Sequence, residues 1–290
     1  MRTFQGTPTS RPLAIVVMVV ALVVLGVALE MDASGATHRA ASGRVSSRAL
    51  VPGVRRIFPR QPGSVGAGAV SRVLARTPLV SSGGRRGRLI ALTFDDGPGP
   101  YTWPIVRELR RLHVPATFFE VGRMMSEYPG AVRLVRQWFP VGDHTLSHAP
   151  LGLLGWRRQR DEIDAQAARL EDFGASRPRL FRPPYASFDA ATLRLLRSER
   201  MLMVLWSVDS RDYTLPGARQ IVRNVVGAAR PGAIVLMHDA GGPRAQTAAA
   251  LPAIVRRLRA RGYRFATVPQ LLALAPPAGR QKLPPGAGEH

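Results

Sequence analysis

Short apolar runs alternate with longer stretches whose apolar residues recur at helical spacing, beginning near residue 88. A run of about 4–8 apolar residues is typical of a buried strand, and an i, i+3, i+4 pattern is typical of an amphipathic helix. The predicted strands are 88–94, 116–121, 138–142, 179–182, 202–208, 233–237 and 263–268. The predicted helices include 103–112, 158–172, 189–199, 217–229 and 246–260.

Repeated strand–helix units of this kind predict an α/β fold with a parallel sheet. Polar clusters follow five of the predicted strands, and they read DDG, DHTLSH, RPPY, DSRDY and HDA. In a (β/α) barrel, the residues that follow the strands converge on one face and form the active site there. We therefore expect a distorted or incomplete (β/α) barrel with about seven parallel strands.

The N-terminal part of the chain lacks this alternation. After a short segment, 1–12, residues 13–29 form an uncharged and almost wholly apolar run of 17 residues. Its length lies between those of a membrane-spanning helix and a signal-peptide core, so we expect a signal-anchor or a signal peptide over 13–31. A buried core helix is the third alternative. The first two place the rest of the chain outside the cytoplasm, either membrane-anchored or secreted.

Positive charge is concentrated in the next segment. Residues 33–88 contain eleven arginines and no acid, out of a net charge of +22 for the chain. The composition predicts a basic disordered linker over 32–87, in which a short helix at 68–76 is an alternative. Such a segment is attracted to anionic wall polymers or lipid headgroups. No nucleic-acid motif accompanies the charge, so we expect no nucleic acid partner. A disordered tail is predicted over 276–290, which leaves 88–275 as the folded domain.

The chain has no cysteine, so any metal site must use histidine and carboxylate ligands. His144 and His148 are four residues apart, a spacing at which two imidazoles can reach one cation, although such pairs are often merely exposed. Asp96 can add a carboxylate and leave Asp95 free. An ordinary Asp-Gly turn is the alternative for these two acids. Because four further polar clusters follow predicted strands, we favour a site for a divalent metal.

Five motifs, TFDDGP, HTLSH, RPPY, WSVDSRDY and LMHD, occur in this order over roughly residues 88–270. They resemble the motifs of the polysaccharide deacetylase family, carbohydrate esterase family four. The resemblance implies a distorted (β/α) barrel and makes 88–275 a catalytic domain. It also implies a metal-dependent hydrolase that removes N-acetyl groups from the amino sugars of a polysaccharide, such as peptidoglycan N-acetylglucosamine or a chitin-like oligomer.

The same resemblance assigns roles to individual residues. By this resemblance Asp95 is the catalytic base, and Arg182 orients it. His238 is the catalytic acid, and Asp212 pairs with it. For the last role Asp209 is a close competitor. The metal ligands are Asp96, His144 and His148. The substrate-binding residues are Tyr185, whose backbone N–H would meet the oxyanion, and Leu236, Tyr213, Trp206 and Pro183. By composition alone, Trp206 and Leu236 are ordinary core residues.

Two positions depart from the family pattern. Tyr213 lies where the family often has tryptophan, which bears on the pocket for the acetyl methyl group. Ala186 lies where glycine often follows RPPY, which bears on the angle of that loop. Neither departure removes a catalytic group.

Histidine and carboxylate ligands suit zinc, with cobalt, nickel and manganese as alternatives. We expect a monomer whose partner is a polysaccharide. An O-acetyl esterase acting on xylan or another wall sugar is the alternative activity, and a non-catalytic carbohydrate-binding barrel is the alternative without activity. A non-haem iron oxygenase shares the two-His-one-carboxylate set. The acid beside the ligands and the barrel pattern argue against that enzyme.

Overall fold

The computed structural model describes residues 66–279 and 281–288, which belong to one of the two units into which the chain divides, Pro52–His290. The predicted segments 1–12 and 13–31 lie outside the described residues, as does the first part of the predicted linker. Within the residues that are described, no helix is both long enough and apolar enough to cross a membrane.

The described part of the chain contains nine strands and nine α-helices. The strands are β1 (Leu79–Val80), β2 (Leu89–Gly97), β3 (Ala116–Glu120), β4 (Val141–Asp143), β5 (Leu180–Phe181), β6 (Leu202–Val204), β7 (Val208–Asp209), β8 (Ala233–His238) and β9 (Arg264–Phe265). The helices are α1 (Ala67–Leu74), α2 (Thr102–Arg111), α3 (Gly122–Glu127), α4 (Pro129–Trp138), α5 (Trp156–Asp172), α6 (Ala190–Ser198), α7 (Ala218–Ala228), α8 (Ala245–Ala260) and α9 (Val268–Leu274).

All named strands pair in parallel, in the order β1-β6-β5-β4-β3-β2-β8-β7, with β9 also paired to β2. The edge strands β1 and β7 do not pair with each other in the described structure, so the sheet is an incomplete barrel. The predicted fold class is therefore confirmed. The predicted number of strands was too low, because the run 202–208 is divided into β6 and β7 and because β1 was not predicted.

The part of the predicted linker that the structure describes is folded. Val70 and Val73 of α1 are buried against α9, and β1 extends the sheet by pairing with β6. Helix α1 agrees with the short helix at 68–76 that was the alternative to disorder, whereas β1 was not predicted. At the other end, Gln281 accepts hydrogen bonds from the backbone N–H groups of Ser81 and Ser82, at 3.1 and 3.2 Å. The described parts of the predicted linker and of the predicted tail are therefore ordered, whereas disorder was expected for both.

Strand β2 shows why the predicted strands are apolar at nearly every position and not only at every second one. Ile90, Leu92 and Phe94 pack on one side of the sheet with α2, α7 and α8. Ala91 packs on the other side, with residues of α1 and α9. Because both faces of a parallel sheet are buried, polar residues collect where the strands end. All five predicted polar clusters lie at or after the C-terminal ends of strands.

The tight packing between β3, β4 and β5 generates a stability prediction. A Cβ atom on Gly142 would lie 2.6 Å from the ring of Phe119 and 3.0 Å from the carbonyl oxygen of Leu180. We expect Gly142→Ala to lower the free energy of unfolding by about 1–3 kcal/mol, because the buried ring must move. Urea unfolding of the full chain measures this change.

Gly227→Ala is the matched control. A Cβ atom there has no neighbour within 4 Å, and the residue lies in α7. Alanine is favoured over glycine inside a helix by about 0.5–1 kcal/mol, so this variant should be slightly more stable than the parent. Equal unfolding midpoints for the two variants would contradict the packing argument.

Candidate active site

The two adjacent acids lie where β2 ends, and an irregularity there directs both of them towards one site. The pairing of β2 with β3 shifts register between Asp95 and Gly97, and Asp96 has a positive φ of 72°. In a regular strand, successive side chains point to opposite faces. Here the carboxylates of Asp95 and Asp96 lie 3.9 and 3.5 Å from the same atom, Nε2 of His144.

Asp96, His144 and His148 form a cluster that could hold a metal ion. The Nε2 atoms of His144 and His148 lie 3.5 and 3.0 Å from Oδ1 of Asp96. One candidate ligand atom from each residue lies within 4.8 Å of the other two. Donor atoms about 2.1 Å from a tetrahedral ion are roughly 3.4 Å apart, so the three residues fit such an ion.

The second ring nitrogen of each histidine is already engaged. Nδ1 of His144 lies 2.6 Å from the backbone carbonyl oxygen of Arg182. A carbonyl can only accept, so Nδ1 donates, and in the neutral imidazole Nε2 then carries the lone pair that a cation would bind. Nδ1 of His148 lies 3.1 Å from the hydroxyl of Tyr185. Both Nε2 atoms are thus available on the side of Asp96.

The electrostatic surroundings keep Asp96 ionised, as a ligand must be. Burial alone would raise the pKa of Asp96. The hydrogen bonds of His144 and His148 outweigh burial, helped by the charge of His238, and they lower the pKa of Asp96 well below its usual range.

Asp95 is held by a buried arginine. Nη1 of Arg182 donates to Oδ1 of Asp95 at 2.7 Å and to Oγ1 of Thr93 at 2.8 Å. Arg182 is completely buried, and its remaining donors reach the carbonyl oxygens of Val204 and Leu205 at 2.8 and 3.3 Å. Only Oδ1 of Asp95 is held in this way, which leaves Oδ2 on the side of His144.

Thr93 is a site residue that the sequence analysis missed. Its hydroxyl donates to the carbonyl oxygen of Val235 at 2.6 Å and accepts from Arg182. It therefore ties β2 to β8 and fixes the guanidinium at once. The available signal was its position two residues before Asp95, because residues i and i+2 of a strand share a face.

His238 is paired with Asp212, at the end of β8. Its Nδ1 lies 2.7 Å from Oδ1 of Asp212, whose Oδ2 accepts from the backbone N–H of His238 and from Thr247. Burial alone would lower the pKa of His238. The hydrogen bond and charge of Asp212, with the charges of Asp96 and Asp95, outweigh burial and raise the pKa of His238 to about 9.

Asp209, the competitor for this pairing, has other partners. Its carboxylate accepts from the hydroxyl of Tyr213 at 3.1 Å and from the backbone N–H of Arg211 at 2.8 Å. The structure therefore places Asp212, and not Asp209, beside His238.

The predicted substrate-binding residues differ in exposure. Tyr185 is 67% exposed, and Tyr213 is 47% exposed with its ring centroid 5.5 Å from that of His238. Leu236 and Pro183 are buried. Trp206 is half-buried and packs against core residues. The centre of its ring lies 5.8 Å from the guanidinium carbon of Arg182. Only the two tyrosines offer large open surfaces.

Backbone strain is concentrated around these residues. Ten non-glycine residues in the described structure have positive φ, and seven of them are at or beside the site, namely Asp96, Thr145, His148, Tyr185, Ala186, Arg211 and Leu215. Such conformations persist where the surrounding structure imposes them, as it often does at functional sites. Ala186, with φ 53°, adopts the left-handed conformation that favours glycine, which explains the family preference at that position.

Three further buried acids also lie near the strand ends, and the sequence analysis gave them no role. Burial raises the pKa of Glu120 and Asp143. Burial, opposed by a hydrogen bond from Thr102, raises the pKa of Asp239 to about 7. Glu120 lies in the predicted strand 116–121, and Asp143 and Asp239 belong to two of the polar clusters, but the sequence pattern gives none of the three a distinct role.

Comparisons with known proteins agree with this geometry. Residues 82–204 match the sequence model of the polysaccharide deacetylase family. A peptidoglycan-N-acetylglucosamine deacetylase of Bacillus cereus is 37% identical over 189 residues, which cover 64% of this chain and 88% of that protein. A chitooligosaccharide deacetylase of a Bradyrhizobium species is 36% identical over 198 residues, which cover 63% of this chain and 90% of that protein.

A solved structure shows the same fold. It is the crystal structure of a peptidoglycan N-acetylglucosamine deacetylase in complex with 4-naphthalen-1-yl-N-oxidanyl-benzamide. The TM-score is 0.66 at 30% sequence identity, and the match covers 71% of this chain and 97% of that chain. Fold and sequence agree over 88–97% of the length of these proteins. The chain therefore belongs to the polysaccharide deacetylase family.

Proposed function

We propose that this chain is a metal-dependent hydrolase that removes N-acetyl groups from the amino sugars of a polysaccharide. One observation carries the proposal. The three candidate ligands, Asp96, His144 and His148, lie beside an acid that an arginine holds and that does not belong to the cluster. Hydrolysis of an amide needs both a cation and a separate base, and this arrangement supplies a place for each.

A divalent cation at this site would supply the positive charge that lowers the pKa of a nearby water and draws electron density from the acetyl carbonyl. Zinc suits the ligand set, with cobalt, nickel and manganese as alternatives. Asp95 accepts the proton of the attacking water on Oδ2, while Arg182 keeps Oδ1 in place. Proton transfer by a positioned group contributes about 10²–10⁴-fold to the rate.

The opposite side of the site provides the acid. An amine leaves only when its nitrogen receives a proton, and His238 holds that proton because Asp212 stabilises the imidazolium. The backbone N–H of Tyr185 is proposed to donate to the oxyanion. Leu236 and Tyr213, next to His238, are proposed to receive the acetyl methyl group.

The names of the relatives support the choice of substrate. One acts on peptidoglycan N-acetylglucosamine and the other on chitooligosaccharides, and both substrates carry N-acetylated amino sugars. We propose the same class for this chain. Because peptidoglycan lies outside the cytoplasm, we also propose an extracytoplasmic location, with the apolar segment 13–31 as a signal-anchor or cleaved signal peptide. The arginines before residue 66 are proposed to attract anionic wall polymers or lipid headgroups.

Asp95→Asn tests the base. The variant keeps the size of the side chain but cannot accept the proton, so we expect kcat to fall by about 10²–10⁴-fold. Metal binding should be retained, because Asp95 is not one of the three ligands. Acetate released from peptidoglycan and from chitin oligomers measures turnover, and xylan acetate tests the esterase alternative. Asp161→Asn, on the exposed surface of α5, is the control. An unchanged kcat in Asp95→Asn would show that the base is misassigned.

Asp212→Asn tests the acid through the pH profile. His238 acts in its protonated form, so activity should decline as the pH rises through the pKa of His238, which is about 9. Without the charge of Asp212, burial lowers that pKa, so the decline should occur at lower pH. The pH dependence of kcat/KM measures the shift. Asp209→Asn, whose carboxylate bonds Tyr213, should leave the decline in place, and equal shifts in both variants would refute the pairing.

Metal analysis tests the cluster independently of turnover. After dialysis against a zinc salt and then against buffer, the chain should retain one zinc ion. A chelator should remove this ion and abolish activity, and added zinc should restore it. His148→Gln should weaken zinc binding by about tenfold or more. His113→Asn, at an exposed position with positive φ that asparagine tolerates, is the control. Full activity in the presence of chelator would exclude the proposed role of the metal.

A further inference from the structure

Exposed apolar side chains are gathered on the face that carries the candidate active site. Within the described residues, seven large apolar side chains are well exposed, and five of them follow strands β4, β5 and β7. These five are Leu153, Trp156, Tyr185, Tyr213 and Leu215. Exposed apolar residues that cluster beside a polar site mark a binding surface more often than a random scatter does.

Leu153 and Trp156 have no part in the proposed chemistry. They are 68% and 50% exposed, and they lie five and eight residues after His148. Five extended residues span at most about 17–18 Å, so Leu153 cannot be farther than that from the candidate metal ligand. The loop also touches the segment that carries Tyr185, because the backbone N–H of Gly152 donates to Oγ of Ser187 at 3.0 Å.

The loop is anchored, so the exposure of these two residues is not the result of a loose end. Leu151 is fully buried in a core cluster, and the side chain of Gln159 donates to the carbonyl oxygen of Leu154 at 2.9 Å. Glu162 of α5 accepts from both the hydroxyl and the backbone N–H of Ser147, next to His148. The fold thus holds Leu153 and Trp156 at fixed positions in the segment that follows β4 and the two histidines.

Cationic donors surround the indole ring. The guanidinium carbons of Arg160 and Arg157 lie 5.1 and 6.0 Å from the centre of the Trp156 ring, and both arginines are exposed. The result is an apolar platform with two guanidinium groups, which are hydrogen-bond donors, close to the ring. A pyranose ring matches this surface, because it has apolar C–H faces and hydroxyl groups along its edge.

We propose that Leu153 and Trp156 form an outer sugar-binding subsite, which holds a pyranose ring of the glycan some distance from the residue that loses its acetyl group. The inference rests on the proposed function and deepens it, since it makes an extended glycan chain the preferred substrate. A disaccharide fills only the catalytic position and the position next to it. A longer oligosaccharide also covers the platform and gains affinity there.

The test compares oligomers of β-1,4-linked N-acetylglucosamine, from the disaccharide to the hexasaccharide, on the full chain and its variants. For the hexasaccharide, Trp156→Ala should raise KM by roughly 3–10-fold, as expected for the loss of one aromatic contact, with kcat unchanged. For the disaccharide, neither constant should change. Trp156→Phe should retain most of the affinity for the hexasaccharide. Leu283→Ser, at an exposed apolar residue of the C-terminal segment, is the matched control and should behave as the parent.

Equal losses at every chain length would overturn the subsite and indicate a structural role for Trp156. An unchanged KM for the hexasaccharide would overturn it as well. Equilibrium binding of the hexasaccharide to protein without added metal, measured by calorimetry, keeps the test independent of turnover. If the parent bound the hexasaccharide more tightly than Trp156→Ala but released no acetate, the proposed function would fail and the subsite would stand.

Discussion

The ion pair between Asp95 and a completely buried Arg182 is the interaction on which the site depends. Two adjacent carboxylates repel each other, and burial makes each charge more costly. Arg182 stabilises the charge of Asp95 on one side, and the two histidines stabilise the charge of Asp96 on the other. The two acids therefore have different partners, which lets one serve as a ligand while the other remains free to accept a proton.

The arginine is held in turn by the backbone of the sheet. Its donors reach two carbonyl oxygens, one in the last residue of β6 and one just after it, and the hydroxyl of Thr93 in β2. Its own carbonyl oxygen accepts from His144. One residue thus connects β2, the segment after β4, and β6. Any change that displaces Arg182 would disturb the base and a candidate ligand together. Asp95 and the candidate metal cluster are for this reason a single structural unit.

The site has two sides of opposite proton affinity. In the proposed mechanism Asp95 accepts a proton on one side, and His238, whose pKa Asp212 raises, donates one on the other. This separation suits a reaction that takes a proton from water and gives one to a leaving amine. Around this centre the same face carries strained backbone and exposed aromatic residues, which are features that cost stability and persist where the fold imposes them.

The sequence alone determined the class of the fold and predicted which residues would form the site. Apolar runs of strand length followed by amphipathic stretches required a parallel α/β sheet, and the order of the motifs placed Asp95, Asp96, His144, His148, Arg182 and His238 after strands. A local pattern also gave the approximate bounds of α2, α5, α6, α7 and α8, because each has a periodic apolar face.

Tertiary structure decided what depends on contacts between distant segments. The choice of Asp212 over Asp209 required knowing which carboxylate reaches His238, since both lie in the same motif. The role of Thr93 and the strand β1 were likewise hidden, because a hydroxyl that bridges two strands and a strand of two residues have no periodic signal. The convergence of both acids on His144 depends on a register shift in β2, and pairing between strands, which produces such a shift, is set by the neighbouring strand and not by the local sequence.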